Sequence, residues 1–420
     1  MTAEALDGSA VPALGVAIFA VTYLLIAIQR FPFVHLNRPA AGLLGAVAMV
    51  LFGVVTPEQA RAAVDFDVLV FLLGLMLIVG YLEAGGFFEL AAKWVLRHAR
   101  TPSALLFAVV VGGGLLSAFF VNDTVCLVVT PVLLLALQRL GVRPVPYLLG
   151  LAMGSNAGSV LSVTGNPQNM LVGIWSGVSF GEFMWRMLPV AAGALAIVYL
   201  ALRWVFRQEL NQPFSAPVGD FEVPYDRVLV GKGLAVFTIA LVAWLAGGSL
   251  PMVAIACGAV MVAIAQRDPG EAIERVDWDL LLLFSSLFVV MRGLQVTGTV
   301  EWLNDHALSV AQHSDEMAAG GIVSAAMLVL SSLVSNVPAV MLWREAVTAL
   351  PDARTMWLVL AMSSTLAGNF LLIGSVANLI VAEKARAHGV RIGFVEYARI
   401  GVPVTLISIV WGLLVLLGWK

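Results

Sequence analysis

Charge is scarce in this sequence: 12% of its 420 residues are Asp, Glu, Lys or Arg, about half the usage of soluble proteins, while 60% are hydrophobic. That balance excludes an ordinary water-soluble domain and places the chain in a bilayer. At about 20 residues per crossing, the length accommodates roughly ten spans with short connections. Activity must then reside in the membrane part, as transport rather than enzyme catalysis. Cysteine is nearly absent: Cys126 and Cys257 both lie in apolar runs, which excludes a disulfide framework and a multi-thiolate zinc site. A formal charge of −3 leaves no basic patch for nucleic acid. No GxxxxGK loop followed by Ser or Thr occurs, which argues against ATP-driven pumping. No Lys or Arg precedes the first apolar run, so the positive region of a cleaved signal is missing and that run is expected to remain as a span.

Runs long enough to cross fall near 11–30, 39–56, 68–84, 146–163 and 187–206, and again near 231–247, 250–266, 279–296, 355–373 and 400–418. Two further apolar stretches, 104–140 and 317–350, are interrupted at their middles by VNDT (121–124) and SNVP (335–338), and each reads as a helical hairpin. Placing both termini outside puts about three quarters of the 23 Lys and Arg residues on the cytoplasmic side, Arg38 among them. Only Arg61, Arg186, Arg292, Arg344, Arg354 and Lys420 remain outside. Helical spans without targeting features imply an inner (plasma) membrane location.

An internal repeat appears when VDFDVLVFLLGLMLIVGYLEAGGFFE (64–89) is laid on VDWDLLLLFSSLFVVMRGLQVTGTVE (276–301). Asp65, Asp67, Gly86 and Glu89 meet Asp277, Asp279, Gly298 and Glu301 at a constant spacing of 212 residues, and Gly165 and Asn169 meet Gly374 and Asn378 at 209. Each half holds five spans, one helical hairpin and one broken helix, so it crosses an odd number of times and the second half enters inverted. The fold expected is an all-α polytopic membrane protein of two inverted-topology repeats. The polar, proline-bearing segment 208–230 reads as a cytoplasmic linker between them.

Unsatisfied backbone groups cost several kcal/mol in hydrocarbon, so irregular backbone at membrane depth survives where it lines protein or a wet cavity. Four such places stand out: Asn122, Asp123 and Thr124; Thr164, Gly165, Asn166, Pro167, Gln168 and Asn169; Ser335, Asn336 and Pro338; and Gly374, Ser375 and Asn378. Gly permits unwinding, Pro removes a backbone donor, and Asn and Ser side chains both donate and accept. Half-helix amino ends suit an anion and freed carbonyls a cation. Singly, such residues are as often packing and kinking devices; pairing by the repeat favours function.

Asp123 is the sharpest single residue, because a carboxylate between two apolar helices is costly and marks function by default. It suits a proton carrier or part of a cation site; the bland alternative is an N-cap of the hairpin's second helix. Asp67 and Asp279 stand at span ends and read as structural, helix caps included. All five histidines, His35, His98, His306, His313 and His388, fall in loops, which argues against a histidine relay. Cys126 follows the first tip closely and is placed to meet a thiophilic substrate such as arsenite, although a lone buried Cys is more often a small hydrophobe.

With VNDTVCLVVTPVLLLAL, GSVLSVTGNPQNMLVG, SSLVSNVPAVML and AGNFLLIGSVANLIVAE in view, the chain resembles the ion transporter superfamily, which holds arsenite permeases, NhaD-type sodium/proton antiporters, the melanosomal P protein, and citrate and dicarboxylate carriers. The likeness covers nearly the whole length. It implies scaffold parts at 1–100 and 231–312 and mobile transport parts at 101–207 (hairpin 104–140, broken helix 146–175) and 313–420 (hairpin 317–350, broken helix 355–388). It further implies a homodimer and elevator-like movement. In dicarboxylate carriers both tips look like Ser-Asn-Thr. Here Asn122 and Thr124 keep two of those types and Asp123 is an added acid; Ser335 and Asn336 match, and Val337 takes the Thr place. A fixed negative charge beside the site opposes sodium-dicarboxylate symport, and the Asn-Asp pattern is similar to the arsenite permease and antiporter branch.

The function expected is secondary active transport of a small inorganic or organic anion, or its neutral acid, coupled to protons or sodium through Asp123, without a cofactor. A sodium site at Asn122, Asp123 and Gly165 is one form of that coupling. A sodium/proton antiporter is the alternative within transport, and a channel or non-transporting scaffold the alternative of another class.

Overall fold

The computed structural model describes residues 10–28, 36–214, 224–301 and 315–418. Arg30, His35, His306, His313, Lys420 and the middle of the expected linker lie outside them. Every regular element among the described residues is a helix. The first half runs α1 (Ala10–Ile28), α2 (Arg38–Leu51), α3 (Pro57–Ala63), α4 (Phe66–Ala84), α5 (Phe87–His98), α6 (Pro102–Phe119), α7 (Asn122–Leu140), α8 (Val145–Ser159), α9 (Pro167–Trp175) and α10 (Phe180–Val205). A short α11 (Arg207–Leu210) follows. Among the described residues the second half follows the same order without a counterpart of α5: α12 (Arg227–Leu245), α13 (Leu250–Ile264), α14 (Pro269–Ile273), α15 (Trp278–Val296), α16 (Glu316–Val334), α17 (Asn336–Thr348), α18 (Ala353–Ala367), α19 (Val376–Ala387) and α20 (Phe394–Gly418).

Among the described residues 8 helices are long and apolar enough to cross a membrane, α4, α6, α7, α10, α12, α15, α16 and α20. The chain is a multi-pass membrane protein. Shorter apolar stretches are α2, α13 and, within α1, Val11–Ile26, and the remaining expected spans are the broken pairs α8–α9 and α18–α19.

Packing crosses between the halves in exchanged pairs. Helix α2 lies on α15 as α4 lies on α13; α8 meets α19 as α9 meets α18; α10 and α20 meet each other. Small residues permit the closest approaches. A Cβ on Gly158 of α8 would fall 2.2 Å from the Gly114 carbonyl oxygen of α6, and one on Gly74 of α4 would fall 2.3 Å from the Ala254 carbonyl carbon of α13.

Helix starts follow local chemistry. Asp65 and Asp277, the first acid of each DxD pair, cap α4 and α15 by accepting from the amides of Val68 and Leu280 at 3.3 and 2.9 Å. The caps are thus not Asp67 and Asp279, which are exposed one residue inside. The 208–230 segment is also partly helical: it begins within α11 and ends inside α12, whose cap Asp226 accepts from Val228 and Leu229 and pairs with Arg267 at 2.8 Å. The Arg267 guanidinium holds that carboxyl below the usual carboxylate range. His98 closes α5 rather than lying in a loop, while His388 follows α19 and is exposed.

Candidate functional site

Both hairpins and both broken helices come apart where the sequence places their polar residues. Helices α6 and α7 are separated by Phe120 and Val121, and α16 and α17 by Ser335 alone. Ser335 takes φ 81°, a left-handed value that a non-glycine residue holds only under constraint from its surroundings. The two breaks share one geometry: an extended residue (Ser162 or Leu371), a single 3₁₀ turn (Val163–Gly165 or Leu372–Gly374), a second extended residue (Asn166 or Ser375), then the next helix.

These four interruptions meet around one cavity of about 70 Å³. Asn122 and Asp123 come from the first tip, Ser335, Asn336 and Val337 from the second, and Gln168 and Ser375 from the breaks. Four helix amino termini, those of α7, α9, α17 and α19, therefore face one small space. Of these, α9 has its first turn capped by its own Asn166, which accepts from the Asn169 amide at 2.9 Å, and α19 has the Ala377 amide facing the Asp123 carboxylate; α7 and α17 have no side-chain cap. Each terminus carries roughly +0.5 elementary charge, so the space favours a negative group. The cap role considered for Asp123 at its own helix is absent: it lies in the first turn of α7 and faces instead the Ala377 amide in the first turn of α19.

The remaining wall comes from Ile26 of α1, Arg38 at the start of α2, and Leu280 to Leu287 in the first half of α15. Arg38, expected to be a loop charge, is half-buried on this wall and interacts electrostatically with Asp123. The side-chain oxygen of Asn336 is buried without a hydrogen-bond partner among the described residues.

Behind the cavity, the two breaks are held by an exchange between halves. Asn156 of α8 lies against the second break, donating to Asn369 and Asn378 at 2.9 and 3.0 Å and accepting from Ser375 at 3.0 Å and from the Asn122 amide at 2.9 Å. Thr365 of α18, the repeat equivalent of Asn156, lies against the first break. It donates to Asn169 at 3.1 Å and accepts from Asn166 and Gln168 at 3.2 and 3.3 Å. Asn169 also donates to the carbonyls of Ser159 and Ser162 at 3.0 and 2.9 Å, and Asn378 to those of Gly368 and Leu371 at 2.7 and 3.4 Å. The same bonds recur at the same repeat positions.

Several expected site residues thus support the cavity instead of lining it. Thr164 shares a hydrogen bond with Ser162 at 3.0 Å and donates to the Ala118 carbonyl of α6 at 3.4 Å. Gly165 packs its backbone on Ser159, where a Cβ would lie 2.2 Å from the carbonyl oxygen, so it contributes no ligand atom to the cavity wall expected to hold sodium. Thr124 and Gly374 are also off the wall. Cys126 is fully buried and shares a hydrogen bond with Ser155 at 3.1 Å, out of a cavity solute's reach. Asn156, Thr365, Asn369 and Arg38 are the participants that motif reading passed over.

The exchange makes a prediction. Thr365→Val leaves the buried side-chain oxygen of Asn169 without its donor and the side-chain amides of Asn166 and Gln168 without one acceptor, at a cost of about 1–3 kcal/mol; Asn156→Leu strands four partners and should cost more. Thermal melting in detergent measures both. Unchanged melting for both variants would show that the network does not hold the breaks.

The citrate transporter family model matches residues 23–361, most of the chain. The chain belongs to the citrate transporter family. Family relatives include an uncharacterised Mycobacterium tuberculosis transporter, Rv2684, 30% identical over 94% of this chain and 95% of its own. The rice (Oryza sativa subsp. japonica) silicon efflux transporter LSI3 is likewise 30% identical over 94% and 95%. Among solved structures, the YdaH transporter of Alcanivorax borkumensis shares the fold with a TM-score of 0.59 at 16% identity, covering 97% of this chain and 99% of that one. Within the ion transporter superfamily, then, this protein is a membrane transporter.

Proposed function

We propose that the chain is a secondary active transporter of a small anion or its neutral acid, with Asp123 carrying a coupling proton or completing a sodium site. The observation that carries this reading is the convergence of four helix amino termini, two of them without any side-chain cap, on a cavity that also holds one carboxylate and one guanidinium. The cavity's 70 Å³ is small beside the ~300–1,000 Å³ of drug-sized pockets, which favours an inorganic or very small organic solute. A relative named for silicon efflux is compatible with that size class. The unpartnered Asn336 oxygen offers an acceptor for the hydroxyl of a protonated acid.

In this reading α1–α4 and α12–α15 form a scaffold, the hairpins and broken helices with α10 and α20 form the moving unit, and the halves are inverted. The cavity lies at the α2 and α15 starts, the cytoplasmic side by the distribution of Lys and Arg. On the opposite side two hydrogen bonds bridge the seam beside a cleft of about 410 Å³: Trp175 donates to Asp65 at 2.8 Å and Gln295 donates to Glu345 at 3.0 Å. The state is therefore read as cytoplasm-facing, with elevator-type movement and a homodimer built on the scaffold in a plasma membrane.

A sodium/proton antiporter is the second reading, favoured by the same Asn336 oxygen lying on one wall with Asp123. Flux into proteoliposomes separates them. With citrate, phosphate, arsenite and silicic acid offered under imposed pH or sodium gradients, accumulation of at least one solute is expected. Sodium movement driven by pH with no solute carried would favour the antiporter. Currents far above carrier turnover would mean a channel, and no flux of any kind would overturn both transport readings.

A further inference from the structure

We infer that Arg38 is the counter-charge at which the transported anion docks, and that it serves only the membrane face at which the cavity lies in this state. The inference rests on the anion-transport reading above and adds a residue and a sidedness to it.

Arg38 is the first residue of α2, and its place is fixed from behind. The preceding residue, Asn37, caps the helix by accepting from the Ala40 amide at 3.1 Å, and its own amide donates to Asp279 at 3.2 Å, tying the start of α2 to the start of α15. The usual reading of an arginine at a span end is snorkelling to the interface. What sets Arg38 apart is that it lines the same cavity as Asn122, Asp123, Gln168, Ser335 and Asn336. The charged groups that act on Asp123 are Arg38 and Asp277, both from the α2–α15 side, while the backbone amide of Ala377 faces it from α19. Asp277 is exposed to solvent, which leaves Arg38 and Asp123 as the opposed charges on the cavity wall.

An arriving oxyanion finds the planar guanidinium, whose paired N–H groups match two oxygens at once, together with the helix amino termini. It competes with Asp123 for that guanidinium. The competition is relieved when Asp123 takes up a proton or a cation, so anion and coupling ion load together.

The packing of the two helices gives the sidedness. Helix α2 rests on α1 and α15, whereas α7 rests on α5, α6, α8 and α19. Arg38 and Asp123 thus belong to different groups of helices. If the hairpins and broken helices travel as proposed, Asp123 and the solute leave Arg38 behind, and the site exposed at the other face binds without it. Affinity at the two faces then differs by the contribution of one arginine.

The experiment measures KM from each face, in right-side-out and inside-out vesicles, with phosphate, citrate and arsenite as probes; near neutrality the first two are anions and arsenite is the uncharged acid. At least one anion is expected to be carried. For it, Arg38→Gln should raise KM tenfold or more at the cytoplasmic face and less than twofold at the other, and Arg38→Lys should fall between wild type and Arg38→Gln. Equal shifts at both faces, or none at either, would overturn the inference while leaving anion transport standing. Wild type carrying arsenite alone would likewise overturn it, and wild type carrying none of the three would overturn the anion-transport reading as well. If Arg38→Gln does not fold, Arg38→Lys carries the test through the same two-face comparison.

Discussion

Replacing Asp123 with Asn is expected to leave a folded carrier whose flux no longer responds to an imposed pH or sodium gradient. Driven accumulation should fall about 100-fold, equivalent to about 2.8 kcal/mol at about 1.4 kcal/mol per decade. Asn has nearly the shape of Asp and still accepts through its carbonyl oxygen, so the amide of Ala377 keeps a partner and the tip keeps its packing. What is lost is the ionisable group, which can neither take a proton nor balance a cation. Solute exchange with no net driving force should survive better than accumulation, because the helix amino termini and Arg38 remain. Comparing exchange with gradient-driven uptake for one solute in the same proteoliposomes tests this. If the Asn variant accumulates solute with the wild-type pH and sodium response, Asp123 does not couple transport, and the coupling group lies elsewhere.

The second large effect is a contrast between two glycines related by the repeat. An added Cβ at Gly165 would lie 2.2 Å from the Ser159 carbonyl oxygen and 2.8 Å from its Cα, both backbone atoms that no rotamer change can move aside. At Gly374 the nearest atom, the Ala367 carbonyl oxygen, is 3.2 Å away, tight but within reach of a small adjustment. Gly165→Ala is therefore expected to destabilise by about 3 kcal/mol or more, the upper range for overpacking. Gly374→Ala should cost below about 1 kcal/mol, part of it offset by the lower entropy of the unfolded chain. Folded yield and melting in detergent give the comparison. Equal tolerance of the two substitutions would mean that the first break is packed no more tightly than the second.

Much of the architecture was legible in the residues because membrane helices announce themselves by composition and their interruptions by Gly, Pro, Asn and Ser. The tips at 121–124 and 335–338 and the GNPQN and GSVAN breaks fall where those residues placed them. Asn156 and Thr365 were not legible, because each lies in the regular helix ahead of its break, where a short run of small polar residues is ordinary. A signal for them did exist: they are separated by the same 209 residues that relate Gly165 to Gly374, so scanning polar residues in pairs at the repeat spacing would have found them. Arg38 escaped for a different reason. A positive residue at a span end is counted as an orientation signal, and only the folding of α2 against α15 brings it to the cavity. Similarly, either acid of the DxD pairs suits a cap, and backbone geometry selects Asp65 and Asp277.

The reciprocal hydrogen bonding of Asn156 and Thr365 bears on how this protein is made. The residue that satisfies each break is delivered by the opposite half, so the first half, emerging from the ribosome ahead of the second, meets the bilayer with its GNPQN segment short of its Thr365 partner. Biogenesis must then shelter or tolerate that segment until about two hundred further residues have been synthesised. Splitting the polypeptide at the connection between halves should be survivable only when both pieces are produced in the same cell.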